Sequence, residues 1–74
     1  MENQTVSNNV RFYRKSRLMT QVDLARKSKV ALRTIHSIEK GARCRMDTKR
    51  KILAGLGLSF CDREAVFPLL SVDL

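Results

Sequence analysis

The chain has no tryptophan, one tyrosine, three phenylalanines, one histidine and two cysteines in 74 residues. Each scarcity removes a class of function. Four aromatics do not supply the interleaved stacking platforms on which proteins hold single-stranded bases. Cys44 and Cys61 lack the paired spacing of a zinc site, and His36 cannot complete a ligand set. No metal or other cofactor is expected, and both thiols read as reduced structural residues. Long apolar runs are also missing. The longest stretch without a charge, Ile52 to Cys61, has ten residues, against the roughly 18 that a membrane-spanning helix needs. The polar start, with Glu2, Asn3, Gln4, Ser7, Asn8 and Asn9, lacks the basic segment and apolar run of a signal peptide. The expected location is therefore the cytoplasm. Length sets a further bound: a domain of this size buries only about 60% of its unfolded surface. An (α/β)8 barrel needs roughly 200 residues or more, and each βαβ unit about 30, so an enzyme is not expected.

Acidic residues are scarce as well, 7 against 15 Lys and Arg, for a net charge of +8. The imbalance is local. Residues 11–51 hold fourteen of the fifteen bases and only Asp23, Glu39 and Asp47 among the acids, while the two ends together are net acidic. A basic middle between acidic ends is the electrostatic footprint of a polyanion-binding surface. Because the charge is spread over several segments rather than one amphipathic stretch, a membrane surface is not the expected partner.

Helical periodicity organises what is present. Residues 1–9 carry almost no apolar pattern and are expected to form a flexible arm. Val10, Tyr13, Arg14 and Arg17 share a face, predicting a first helix that ends near Leu18. Thr20 followed by Asp23 is a capping-box pattern opening a second helix at Gln21, with Leu24, Ala25 and Ser28 on one side. A tight turn after Lys29 leads to a third helix over about Leu32 to Lys40, with Ile35 and Ile38 inward and Gly41 closing it. Its other face offers Leu32, Arg33, Thr34, His36 and Ser37, an unusual mixture for a merely solvated surface. A basic loop from Ala42 to Arg45 precedes a fourth helix containing Ile52, Leu53 and Leu56, in which Gly55 is tolerated at roughly 1 kcal/mol. Ser59 with Asp62 repeats the capping box and opens a short fifth helix that Pro68 stops. Phe12 points away from the first helix's core stripe and is expected to lie beneath the C-terminal helix. Residues 68–74 form an apolar tail suited to a dimer or partner contact.

Thr20-Gln21-Val22-Asp23-Leu24-Ala25, then Val30, Ile35 and Ile38-Glu39-Lys40-Gly41, resembles the lambda-repressor-like (Cro/phage-repressor, XRE type) helix-turn-helix family. The resemblance covers about residues 9–67 and implies an all-α, compact five-helix bundle over residues 10–67. It further implies that the third helix enters the major groove of double-stranded DNA while the second lies across the backbone. Residue by residue, Gln21 matches a glutamine that hydrogen-bonds phosphate. Ala31, Leu32, Arg33, Thr34 and Ser37 match positions that approach base edges, and Lys40, Arg43 and Arg45 match a loop beside the backbone. Arg14 and Glu39 match an ion pair tying the first helix to the third. The chain departs from the family pattern at Lys29, where a turn glycine is usual, at Ala31, where a Ser or Thr cap is usual, and at Lys49, where an apolar residue is usual. The implied function is a small transcriptional repressor acting as a homodimer on an operator. The alternative is an antitoxin-type interaction module whose tail covers a toxin.

Overall fold

The computed structural model describes residues 8–68. It is all-helical over these residues: α1 (Val10–Ser16), α2 (Gln21–Ser28), α3 (Leu32–Glu39), α4 (Met46–Gly55), a 3-10 turn (Phe60–Asp62) and α5 (Arg63–Val66). The apolar tail lies outside the described residues apart from Pro68, and so does the arm apart from Asn8 and Asn9.

Those two asparagines, counted with the arm on sequence grounds, are tied down. Asn8 Oδ1 accepts from the Val10 N–H at 3.1 Å while Asn8 Nδ2 donates to the Ile38 carbonyl at 2.8 Å. Asn9 donates from its main chain to Val66 O and from its side chain to Ala65 O, both at 2.8 Å. The start of α1 is thereby fastened to α3 and to α5 before the first helical turn is complete.

One device ends all four longer helices. An amide N–H reaches back five residues to a helix carbonyl, Met19 to Arg14, Val30 to Ala25, Ala42 to Ser37 and Leu58 to Leu53, at 2.9 to 3.1 Å. Each closure turns on a left-handed residue immediately before that amide: Leu18 (φ 57°), Lys29 (φ 61°), Gly41 (φ 108°) and Gly57 (φ 80°). Glycine holds this conformation without steric cost, whereas a side chain costs about 1–2 kcal/mol. Two of the four closures are thus strained, and they bracket α2 at both ends. The start of α2 compensates with a complete capping box: Thr20 Oγ1 accepts from the Asp23 N–H at 3.0 Å, and Asp23 Oδ2 accepts from the Thr20 N–H at 2.9 Å. Hydrogen bonding from Thr20, first through its main chain, with the nearby Arg26, holds Asp23 below its ordinary pKa.

The core is assembled from one stripe per helix: Val10, Leu24 with Ala25, Ile35 with Ile38, Ile52 with Leu53 and Leu56, and Val66 with Phe67. Because these side chains recur at helical spacing, burying them forces α2 against both α3 and α4. α2 and α4 approach closely at Gly55, where an added Cβ would meet Ser28 Cβ at 2.8 Å. Three expectations are corrected here. Phe12 is 66% exposed rather than covered, and it meets Tyr13 edge-to-face at 5.3 Å. α1 ends at Ser16 because Leu18 has left the helical conformation. Gly55 is not a tolerated irregularity but the point where two helices touch. Lys49, at the unusual position in α4, is half-buried and sets its ammonium 5.5 Å from the centroid of the Phe67 ring.

Candidate nucleic-acid interface

The turn between α2 and α3 is short because Lys29 reverses the chain and Val30 returns it to the core. Ala31 then takes the N-cap position of α3 with extended backbone and no side-chain cap. With Ile35 and Ile38 buried, the opposite side of α3 is fixed by the roughly 100° step per residue. It carries exposed Arg33, His36 and Ser37, with exposed Leu32 at the edge nearer Glu39 and half-buried Thr34 at the other edge. Of the expected base-reading set, Ala31, Leu32, Arg33 and Ser37 reach solvent, and Thr34 is turned partly toward the protein.

Beneath this surface Arg14 and Glu39 form a two-bond ion pair, Nε to Oε2 at 2.6 Å and Nη2 to Oε1 at 3.1 Å. The side chains are 9% and 4% exposed. The remaining donor of Arg14, Nη1, reaches the Met19 carbonyl at 2.7 Å, so one guanidinium joins α1, the α1–α2 loop and α3. Gln21 Nε2 adds a third bond to Glu39, at 3.0 Å to Oε1. Burial alone would raise the Glu39 pKa. The hydrogen bonds from Arg14 and Gln21, with the positive charges of Arg14 and Arg11, outweigh it and hold the carboxyl below its ordinary value. Gln21, expected to face phosphate, is therefore engaged within the protein through one amide N–H; a primary amide carries a second.

A shallow cleft of about 230 Å³ opens over this network, lined by Arg11, Arg14, Gln21, His36, Glu39 and Lys40. Its only acid is already paired, so the cleft is net positive. Arg11 and His36 are the lining residues that the sequence-based assignment of backbone contacts omitted. A signal for Arg11 existed, since it precedes Arg14 by three residues and so sits beside it on α1.

The cations divide by whether the protein uses them. Arg17 donates to the Leu56 carbonyl at 2.7 Å and lies over the Tyr13 ring. Arg26 pairs with Asp23 and Lys51 with Asp47. Arg50 and Arg63 both flank the Phe60 ring, at 5.0 and 4.5 Å. By contrast Arg33, Lys40, Arg43 and Arg45 on α3 and the loop after it are exposed and make no ion pair with any described residue, and the same holds for Arg11, Lys15, Lys27 and Lys29 on α1, α2 and the turn. Arg45 occupies the N-cap position of α4 without a side-chain cap, so two arginines stand beside a helix end whose N–H groups favour anions.

Two short helices joined by a tight turn, the second presenting an uncommitted polar and basic face, define a helix-turn-helix protein. A family model described as helix-turn-helix, of the Cro/C1 type, matches residues 10–62. The chain belongs to this family of DNA-binding transcription regulators, which are not typically enzymes. No curated protein and no solved structure matches the chain. Among the described residues no helix is long and apolar enough to cross a membrane, and no group of His, Cys, Asp and Glu could hold a metal ion.

Proposed function

We propose that the protein is a small cytoplasmic transcriptional repressor that recognises a duplex operator with α3 in the major groove, two copies engaging a pseudo-palindromic site. Arg33 and Ser37, with Ala31, Leu32 and Thr34 at the start of the helix, approach base edges. Gln21 through its second amide hydrogen, Lys40, Arg43 and Arg45 hold the flanking phosphates, and Arg11 and His36 extend that contact across the cleft. The observation that carries this reading is that exposed Arg33, Lys40, Arg43 and Arg45, none paired with a described residue, follow one another on α3 and the loop after it, beside the Arg14–Glu39–Gln21 support. Because the helix itself is fixed by that support, docking orders only the exposed side chains and not the main chain that carries them.

The test separates reading from holding. Arg33 has the paired donors to bond O6 and N7 of guanine, so Arg33→Ala should lose about 1–3 kcal/mol on the selected operator and little on random duplex. Arg43→Ala should weaken both DNAs alike and flatten the salt dependence by about 0.9 log units per decade for each phosphate contact removed. Fluorescence anisotropy over a salt series measures both. Equal loss on both DNAs for Arg33→Ala, or loss of sequence preference from Arg43→Ala alone, refutes these roles.

A further inference from the structure

Leu32 stands at the first position of α3, 45% exposed, and does not belong to the set of side chains packed on the core. Its neighbours on this turn are Arg33, fully equipped to bond a base, and His36, both exposed. A large aliphatic side chain at the edge of a polar reading surface, outside the core cluster, can make no hydrogen bond. What it can do is exclude water from whatever it covers. Against the major-groove edge of a guanine, adenine or cytosine, that exclusion leaves a base donor or acceptor desolvated and unpaired. The thymine edge differs, because its C5-methyl group is the one apolar patch that a major groove presents.

We propose that Leu32 is a specificity-determining residue that selects thymine by covering its 5-methyl group. The assignment rests on the reading of α3 as the groove-facing helix and adds to it the identity of a base. Successive residues on α3 are about 1.5 Å apart along the axis, and successive base pairs about 3.4 Å. The thymine read by Leu32 therefore lies within about two base pairs of the guanine read by Arg33, and the operator contains the two bases as a fixed pair.

The experiment uses the wild-type protein first. Binding sites are selected from a randomised duplex library, and each thymine of the selected site is then replaced in turn by deoxyuridine, which removes the methyl group and leaves every hydrogen-bonding atom in place. At one position, close to the guanine whose preference Arg33→Ala abolishes, affinity should fall about fourfold, the equivalent of ~0.8 kcal/mol for one buried methyl at 1.4 kcal/mol per decade. Leu32→Ala, checked for an unchanged unfolding midpoint, should show no difference between thymine and uracil at that position while keeping the guanine preference. If uracil is tolerated at every position, or if Leu32→Ala retains the uracil penalty, Leu32 does not read thymine although α3 still reads DNA. If selection returns no consensus, the reading of α3 as a sequence-specific element fails, and the thymine assignment with it.

Discussion

Gly55→Ala sets helix propensity against tertiary packing at a single atom. In an isolated helix alanine is favoured over glycine by about 1 kcal/mol, so the local sequence alone expects the substitution to stabilise α4. The new Cβ, however, would stand 2.8 Å from Ser28 Cβ and 3.0 Å from both Ser28 Cα and Ser28 N. None of these atoms belongs to a side-chain end that could swing aside. Ser28 is 3% exposed and its hydroxyl is bonded to the Leu24 carbonyl at 2.6 Å, so α2 and α4 must move apart. Separating them loosens Leu24, Ile52 and Leu53, which are essentially without exposure. Overpacking of this kind costs about 1–3 kcal/mol, and contact with main-chain atoms places this case toward the upper end. After the propensity gain, a net loss of about 1–2 kcal/mol remains, which for a domain of this size lowers Tm by roughly 5–15 °C. Thermal and urea unfolding followed by far-ultraviolet circular dichroism measures it. Ala54→Gly, at the exposed neighbouring position, calibrates the propensity scale in the same helix and should cost about 1 kcal/mol. A Gly55→Ala protein as stable as the wild type, or more so, would refute the argument that the α2–α4 contact selects glycine.

Lys29→Gly should stabilise by about 1 kcal/mol, because it removes the left-handed penalty of a side chain at φ 61° where no ion pair is lost; urea midpoints at or below the wild-type value would count against it. The Glu39 carboxyl is lowered in the folded state, so the stability it contributes is fully present above its unfolded pKa and is lost as pH falls through the folded one. Glu39→Gln should accordingly flatten the acid limb of a stability profile below about pH 4.5, and an unaltered acid limb would show that the carboxylate is not linked to folding. Arg14→Ala should cost about 3–5 kcal/mol by leaving the nearly buried Glu39 charge uncompensated, more than replacing Arg14 and Glu39 together with apolar residues; a double-mutant cycle without coupling would contradict this.

How much of this was legible beforehand differs from residue to residue. Capping boxes, helical spacing and closing glycines are local, because a side chain three or four positions away is already a neighbour on a helix. Thr20 with Asp23, Leu24 with Ala25 and Ser28, Ile35 with Ile38, and Gly41 therefore predict α2 and α3 to within a residue, and with them the helix-turn-helix family. The basic bias of residues 11–51 is likewise a property of composition, and it points to a polyanion before any fold is known.

Tertiary structure decided what depends on residues distant in the chain. Whether Gly55 is a flaw or a contact depends on Ser28, and whether Gln21 is free or held depends on Glu39. Phe12 points away from the Val10–Arg14 face, as its spacing predicts, and is 66% exposed because the packing of the described residues leaves its own side of α1 uncovered. Lys29 has a left-handed backbone although its side chain disfavours it, since the gain from seating Leu24, Val30 and Ile35 exceeds a local cost of about 1–2 kcal/mol. The division of the arginines into structural and uncommitted ones is of the same kind. A sequence counts charges, but only the packed chain brings the Leu56 carbonyl to Arg17 and the Phe60 ring to Arg50 and Arg63, leaving Arg33, Arg43 and Arg45 without internal partners among the described residues. Local chemistry thus sets the elements and their class, while long-range burial sets which side chains remain free to act.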